Sequence, residues 1–150
     1  MLLSKSCVYG VRASLFLASN QNGEFISIKK LSSTLDISFH FLTKILQKLT
    51  ANNLLESLKG PNGGVRLSKP GKEIALLDIV VAIDGDDLFQ ECVLGLPGCG
   101  IEKPCPLHNI WTTTRDDIHE MLETNNLVDI AKKGKEGNLR ITANGKFEWT

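Results

Sequence analysis

The chain has 150 residues, of which 42% are hydrophobic and 23% are charged, and its formal net charge is zero. A chain of this length can bury one ordinary hydrophobic core, or one small domain with an arm that packs on a partner, and two full domains are excluded. The sequence has no apolar run of the roughly 18 residues that a membrane span needs and no secretory signal pattern, which predicts a cytoplasmic protein without a membrane partner.

The balanced total hides a segregation of charge along the chain. Residues 1–72 contain ten lysines and arginines against three acidic residues, a net charge of +7. Residues 73–133 contain twelve acidic residues against four basic ones, a net charge of −8. The basic half predicts a region that binds a polyanion, although two solvated faces of one domain would give the same numbers. We therefore divide the chain into residues 1–72, residues 73–133 and a polar tail over 134–150.

The first fifty residues show the apolar periodicity of three helices. The first helix should end at the polar run over residues 20–23. Ser27 suits the N-cap of a second helix and Ser38 that of a third, and the apolar residues of both recur at intervals of three and four. Their inner faces are predicted at Ile28, Leu31 and Leu35, and at Leu42, Ile45, Leu46 and Leu49.

The outer face of the third helix predicts contact with DNA. Its polar and basic side chains can form hydrogen bonds with base edges or phosphates. An ordinary helical hairpin with a solvated face would show the same pattern. With one lysine of the second helix, the predicted DNA-binding residues of the helices are Lys29, Ser38, His40, Thr43, Lys44, Gln47 and Lys48.

Two short strands around the glycine-rich run at residues 60–64 predict a β-hairpin. Glycine readily adopts the positive φ angles that a tight hairpin requires. Lys59 and Arg66 flank the tip of the hairpin, where they can contact phosphates or a minor groove. Lys59, Gly60 and Arg66 complete the predicted DNA-binding set. A helix-turn-helix followed at once by a basic hairpin predicts a winged-helix domain.

Three of the four cysteines lie within fourteen residues of one another. Cys92, Cys99 and Cys105 are separated by six and five residues, and the glycines and prolines between them exclude a regular helix or strand. Such a loop can wrap three thiolates around one centre, with His108 as the fourth ligand. The spacing does not identify the metal, because it matches neither structural zinc pairs nor the common ferredoxin motifs. Thiols that only pack, or that form a reversible disulfide, are the alternative.

From Pro106 onward, apolar residues recur at three- and four-residue steps over about two heptads, which predicts a long helix with one apolar stripe. The same helix of a second subunit would bury this stripe, whereas packing on the chain's own domain is the alternative. The predicted dimer residues are Leu107, Ile110, Trp111, Thr114, Ile118, Met121 and Leu122. The tail contains a hairpin signal at Asn144–Gly145 and is predicted to be a small hairpin or disordered, with no assigned function.

The order of these features resembles the Rrf2 family of regulators, which includes IscR-like and NsrR-like members, over about residues 1–130. The wing LKGPNGGVRL (58–67), the short apolar helix containing LDIVVAIDG (77–85) and the Cys92, Cys99, Cys105 and His108 set carry the resemblance. It implies a mainly α-helical protein with a small β wing, which binds a palindromic operator in double-stranded DNA as a homodimer. It also implies a repressor or activator, not an enzyme, whose cysteines hold an iron–sulphur cluster that senses redox conditions, nitric oxide or iron–sulphur status.

The sequence departs from the family pattern at two positions. Some members supply an acidic fourth ligand from the first helix of the partner, but the matching residue here is Val8, which cannot coordinate iron. His108 is therefore the expected fourth ligand, as in members with a two-iron, two-sulphur cluster. Cys7 is the alternative, although a cysteine on the apolar face of a first helix is more often simply buried. Thr43 replaces an acid that is frequent in relatives, which leaves the operator sequence open. A zinc site or thiol switch, and a small redox or electron-transfer protein, are the alternative functions.

Overall fold

The computed structural model describes residues 2–20, 22–143, 145 and 149. These residues contain seven α-helices, one 3-10 turn and one two-stranded antiparallel sheet, which confirms the predicted class, mainly α with a small β wing. The elements are α1 (Lys5–Ser19), α2 (Ile28–Leu35), α3 (Phe39–Ala51), β1 (Leu55–Leu58), β2 (Gly64–Leu67), the 3-10 turn (Gly71–Glu73), α4 (Leu76–Asp84), α5 (Asp87–Gln90), α6 (His108–Glu123) and α7 (Leu127–Glu136). No helix within these ranges is long and apolar enough to cross a lipid bilayer.

The turn between α2 and α3 confirms the predicted helix-turn-helix. Ser27 caps α2 by accepting a hydrogen bond from the backbone N–H of Lys30 at 3.1 Å. Asp36 ends α2 in the left-handed conformation, with φ of 54°. Ser38 occupies the N-cap position of α3 as predicted, but its side chain forms no capping hydrogen bond. The start of α3 is therefore fixed by the turn and by packing.

The β-hairpin is attached to the helices through its second strand. Leu55 pairs with Leu67 and Leu58 with Gly64 in the two-stranded sheet, which confirms the predicted wing. On its other side β2 meets Ile26, because Ile26 and Val65 exchange two backbone hydrogen bonds of 2.9 Å. Gly64 is needed at this junction: its φ is +151°, and a Cβ atom would lie 2.1 Å from the carbonyl oxygen of Ile26.

The core lies between α1, α3 and α4 and is closed by α2, α7 and the wing. The predicted inner face of α3 is buried at every position, whereas Ile28 at the start of α2 is only half-buried. Gly10 allows α1 and α4 to approach closely, since a Cβ atom there would lie 2.3 Å from Ile83 Cδ1. The largest fully buried side chains include Phe16, Leu31, Leu35, Leu42, Leu46, Leu49, Ile74, Ile79 and Leu127.

The C-terminal third differs from the prediction in its helix boundaries. The long helix begins at His108, two residues after Pro106, and ends at Glu123. A separate helix, α7, then begins at Leu127 behind an Asn126 cap and packs on α1, so the boundary predicted after residue 133 falls inside α7. A backbone hydrogen bond directs α7 back toward the core: the N–H of Leu127 donates to the carbonyl of Ile74 at 3.0 Å. The predicted hairpin includes Asn144, which lies outside the described residues.

Candidate DNA-binding surface and metal centre

The outer row of α3 consists of His40, Lys44 and Lys48. These residues are four positions apart, so their side chains follow one another along one solvent-facing edge of the helix, and all three are exposed. Lys29, near the start of α2, is exposed as well. The predicted DNA-binding set thus contains an uninterrupted, solvent-accessible row of donors on α3.

The second row of α3 consists of Phe39, Thr43 and Gln47, which line a groove of about 620 Å³ between this helix and the wing. The hydroxyl group of Thr43 donates to the carbonyl oxygen of Phe39 at 2.7 Å, which shortens the reach of Thr43 toward a base. Phe39 is 45% exposed and Leu58 on the wing is 49% exposed. The sequence did not indicate Phe39, because its spacing from the buried residues of α3 matches that of an inward-facing position.

The two basic residues of the wing have different surroundings. Lys59 is exposed beside the tip, where Gly60 has φ of +109°. Arg66 donates from Nε to Glu56 at 2.9 Å and from a terminal nitrogen to the carbonyl of Gly23 at 3.0 Å. Its guanidinium also lies 4.3 Å from the ring centre of Phe25. The structure therefore gives Arg66 an intramolecular role, in which it ties the wing to the segment before α2.

The sulphur atoms of Cys92, Cys99 and Cys105 all lie within 4.8 Å of one another. Cys92 Sγ is 3.4 Å from Cys105 Sγ, and Cys99 Sγ is 3.7 Å from His108 Nδ1. Ligands around one tetrahedral metal with metal–sulphur bonds of about 2.3 Å lie about 3.8 Å apart. The three thiols at these separations therefore fit a metal centre that prefers sulphur ligands, whereas the imidazole of His108 lies beside Cys99 but is not one of the mutually close donors.

Local turns bring the three thiols together. Gly95 and Gly98 both have φ of +70°, so each allows the chain to reverse where another residue would be strained. The carbonyl of Cys92 accepts from the N–H of Gly95 at 2.9 Å, and the carbonyl of Cys105 accepts from the N–H of His108 at 3.0 Å. The second of these bonds holds the backbone of His108 at the first turn of α6, and the imidazole there lies beside Cys99.

The indole of Trp111 joins α6 to the start of the cysteine loop. Its Nε1–H donates to the carbonyl oxygen of Glu91 at 3.0 Å, one residue before Cys92. Phe89 in α5 stacks edge-on against His119 in α6, with the ring centres 5.0 Å apart. The loop is thus held to the long helix at its entrance as well as at its exit.

Three of the thiols have shifted pKa values. Backbone N–H groups, that of Leu96 above all, hold the pKa of Cys92 at about 7, below its usual value of 9.0. The pKa of Cys99 is raised: the N–H of Cys105 lowers it, but burial and the neighbouring sulphur atoms outweigh that effect. Burial, followed by the charge of Asp84, raises the pKa of Cys7 to about 12. Cys7 is fully buried, as expected for a structural cysteine on α1.

The predicted stripe on α6 divides between solvent and core. Its exposed apolar members are Leu107 (40%), Ile110 (69%) and Met121 (53%). Trp111 is half-buried, and Thr114 is exposed with its hydroxyl bonded to the carbonyl of Ile110 at 3.1 Å. Ile118 packs against the core, and Leu122 is 5% exposed and belongs to it, because the end of α6 lies on α4. Ile118 and Leu122 therefore pack within the chain, whereas Leu107, Ile110 and Met121 remain open to solvent.

Comparison with known proteins identifies relatives along most of the chain. Residues 3–133 match the Rrf2 family, described as an iron-dependent transcriptional regulator. Protein aau3 of Rhizobium meliloti (strain 1021) is 34% identical over 143 residues, which cover 94% of this chain and 92% of that protein. The HTH-type transcriptional regulator NsrR of Oceanobacillus iheyensis is 28% identical and is covered to 93%, against 91% of this chain.

Solved structures share the fold. CymR, the global cysteine regulator of B. subtilis, superposes with a TM-score of 0.73 at 24% identity, over 87% of this chain and 96% of that one. IscR of T. potens gives a TM-score of 0.73 at 23% identity, over 90% of this chain and 89% of that one. The matched family and the NsrR relative are described as transcriptional regulators, which confirms the prediction of a regulator and not an enzyme. The chain belongs to the Rrf2 family of winged-helix transcriptional regulators.

Proposed function

We propose that this regulator binds a palindromic operator in double-stranded DNA as a homodimer and senses redox conditions, nitric oxide or iron–sulphur status through an iron–sulphur cluster. Cys92, Cys99 and Cys105 would hold the cluster, with His108 as the fourth ligand and a two-iron, two-sulphur form favoured. The observation that carries the proposal is the convergence of the three sulphur atoms within 4.8 Å on a loop that leads directly into α6.

Charge and exposure support DNA binding by the first half of the chain. Residues 1–72 have a net charge of +7, and the exposed row on α3 carries two lysines. In helix-turn-helix proteins the second helix of the motif enters the major groove. We assign the base contacts to α3 and the adjacent phosphate or minor-groove contacts to Lys59 on the wing.

The exposed part of the α6 stripe supports a homodimer. Leu107 and Ile110 lie at the start of this helix, where the described part of the chain leaves them open to solvent. A contiguous apolar surface on a helix is characteristic of a protein–protein contact. A symmetric pair of α6 helices would also set the distance between two recognition helices, which must lie roughly 34 Å apart to read consecutive turns of DNA.

The number of donor atoms supports a two-iron cluster. Such a centre needs two ligands for each iron, four in all, and the chain supplies three loop thiols and His108, whose Nδ1 lies 3.7 Å from Cys99 Sγ. When bound, the cluster would supply a centre that changes with oxidation or with attack by a small molecule. The chain's own residues would transmit the change, because the loop is attached to α6 through His108 at one end and through Trp111 at the other.

Anaerobic purification followed by visible absorption and by iron, sulphide and zinc analysis tests the cofactor. We expect a brown protein with iron and sulphide in equal amounts. Serine at Cys92, Cys99 or Cys105 should abolish the visible spectrum, and His108→Ala should destabilise or shift it. Cys7→Ser is the matched control and should leave the spectrum unchanged, because Cys7 is buried among α1 and α4 and not among the loop thiols.

The same experiment separates the second candidate, a zinc site or thiol switch. The 3.4 Å separation of Cys92 and Cys105 favours this alternative, since two such thiols can be oxidised to a disulfide after a small movement. A colourless protein with one zinc per chain would show that the site holds zinc and not a cluster. A metal-free protein whose DNA affinity changes with a reversible Cys92–Cys105 disulfide would establish the thiol switch. Loss of the visible spectrum in Cys7→Ser but not in His108→Ala would refute the assignment of His108 as the fourth ligand.

A further inference from the structure

Phe39 is a large apolar side chain that lines the mainly apolar groove between α3 and the wing, next to the exposed polar residues Ser38 and His40. It is the first residue of α3, it is 45% exposed, and its ring lies edge-on to that of His40 with the centres 5.6 Å apart. Behind it on the groove side stand Thr43 and Gln47. A single exposed apolar residue is ordinary on a protein surface, so the position of Phe39, and not its exposure alone, requires an explanation.

We propose that Phe39 determines part of the operator specificity by packing against the C5 methyl group of a thymine in the major groove. This inference rests on the proposed DNA-binding function. The first residues of a recognition helix are the ones that reach base edges. Phe39 holds that place, at the start of the second row of α3, and it lies next to His40, which begins the outer row.

The chemistry of the major groove selects thymine as the partner. Adenine, guanine and cytosine present hydrogen-bond donors and acceptors there, whereas thymine adds an apolar methyl group. A phenyl ring cannot form hydrogen bonds with the other bases and would leave their polar edges without a partner. The hydroxyl of Thr43, which could otherwise read a base from the neighbouring turn, is bonded to the carbonyl of Phe39. Apolar contact is therefore the contribution that Phe39 itself can make at this end of α3.

Uracil substitution tests the methyl contact, because it removes the methyl group and nothing else. The dimeric protein first selects duplexes from a randomised library at fixed salt, and each thymine of the enriched duplex is then replaced by uracil. We expect one thymine per half-site to be sensitive, with binding weakened about fourfold for one half-site and about 15-fold for both, as burial of one methyl group predicts. In Phe39→Ala this penalty should disappear, and in Phe39→Leu part of it should persist.

Leu58→Ala is the matched control, because Leu58 is similarly exposed but lies on the wing across the groove. This variant should keep the full uracil penalty. The inference is overturned if the wild-type protein is indifferent to uracil at every position, if the penalty persists in Phe39→Ala, or if the enriched half-sites contain no thymine. Failure to enrich any duplex would overturn the proposed function and this inference with it, whereas an enriched duplex without a uracil effect would overturn the inference alone.

Discussion

Replacement of Ile110 by alanine should weaken the proposed dimer without unfolding the chain. Complete burial of an isoleucine side chain contributes about 1.5–3 kcal/mol. Since 69% of Ile110 is exposed in the single chain, burying it in a symmetric contact should stabilise the dimer by roughly 1–2 kcal/mol for each subunit. The dimer dissociation constant should therefore rise about 30- to 1000-fold when both copies are truncated.

Sedimentation equilibrium across a concentration series measures this change directly. Leu58→Ala is the control, because it removes an exposed apolar side chain from the wing and should leave the dissociation constant unchanged. Leu122→Ala should behave differently again, since Leu122 is in the core: we expect a loss of about 2–5 kcal/mol in unfolding free energy. An Ile110→Ala protein that dimerises as tightly as the wild type would refute the α6 contact.

Three further predictions follow from the surroundings of single residues. Lys59→Gln should reduce the slope of the logarithm of DNA affinity against the logarithm of salt concentration by about 1.8 for a dimer, at 0.9 per phosphate contact. Arg66→Gln should weaken binding but leave this slope unchanged, because Arg66 already pairs with Glu56. Equal slope changes in the two variants would contradict this prediction. At pH 8 a thiol reagent should label Cys92 in the folded protein and should label Cys7 only after unfolding. Cys7 is buried, and its raised pKa keeps the thiol protonated until the pH approaches 12. Labelling of Cys7 as fast as Cys92, measured by mass spectrometry, would refute this prediction. Gly10→Ala should lower the unfolding free energy in urea by about 1–3 kcal/mol through overpacking, whereas Gly100→Ala, which has open space around it, should not.

The local elements of the first half could be predicted because their signals are local. Ser27 caps α2, and the glycines of the wing have the positive φ angles that the turn requires. The apolar stripe of α3 is buried at each predicted position. Each of these features depends on residues within a few positions of one another, so the sequence alone is sufficient to predict it.

The features that the sequence could not provide depend on distant partners. Arg66 contacts Gly23, 43 residues away, and its charge alone suggested a phosphate contact. The α6 stripe is predicted as one face, but at 3.6 residues per turn Leu122 lies about 120° around the helix from the exposed Ile110, and the packing of α6 on α4 buries the Leu122 side. The separate helix α7 was missed, although the Asn125–Asn126 pair interrupts the apolar spacing after Leu122. The backbone hydrogen bond between Leu127 and Ile74 turns α7 toward α1.

The hydrogen bond between Trp111 and Glu91 makes the cysteine loop a closed ring of chain. Bringing together the ends of a flexible segment of about 20 residues costs roughly 2.7 kcal/mol in entropy. A ligand that captures the three thiols of an already closed ring does not have to supply that free energy again. The loop then behaves as a macrocyclic chelator does in coordination chemistry, where preorganised donors retain a metal that an open chain of the same donors would release.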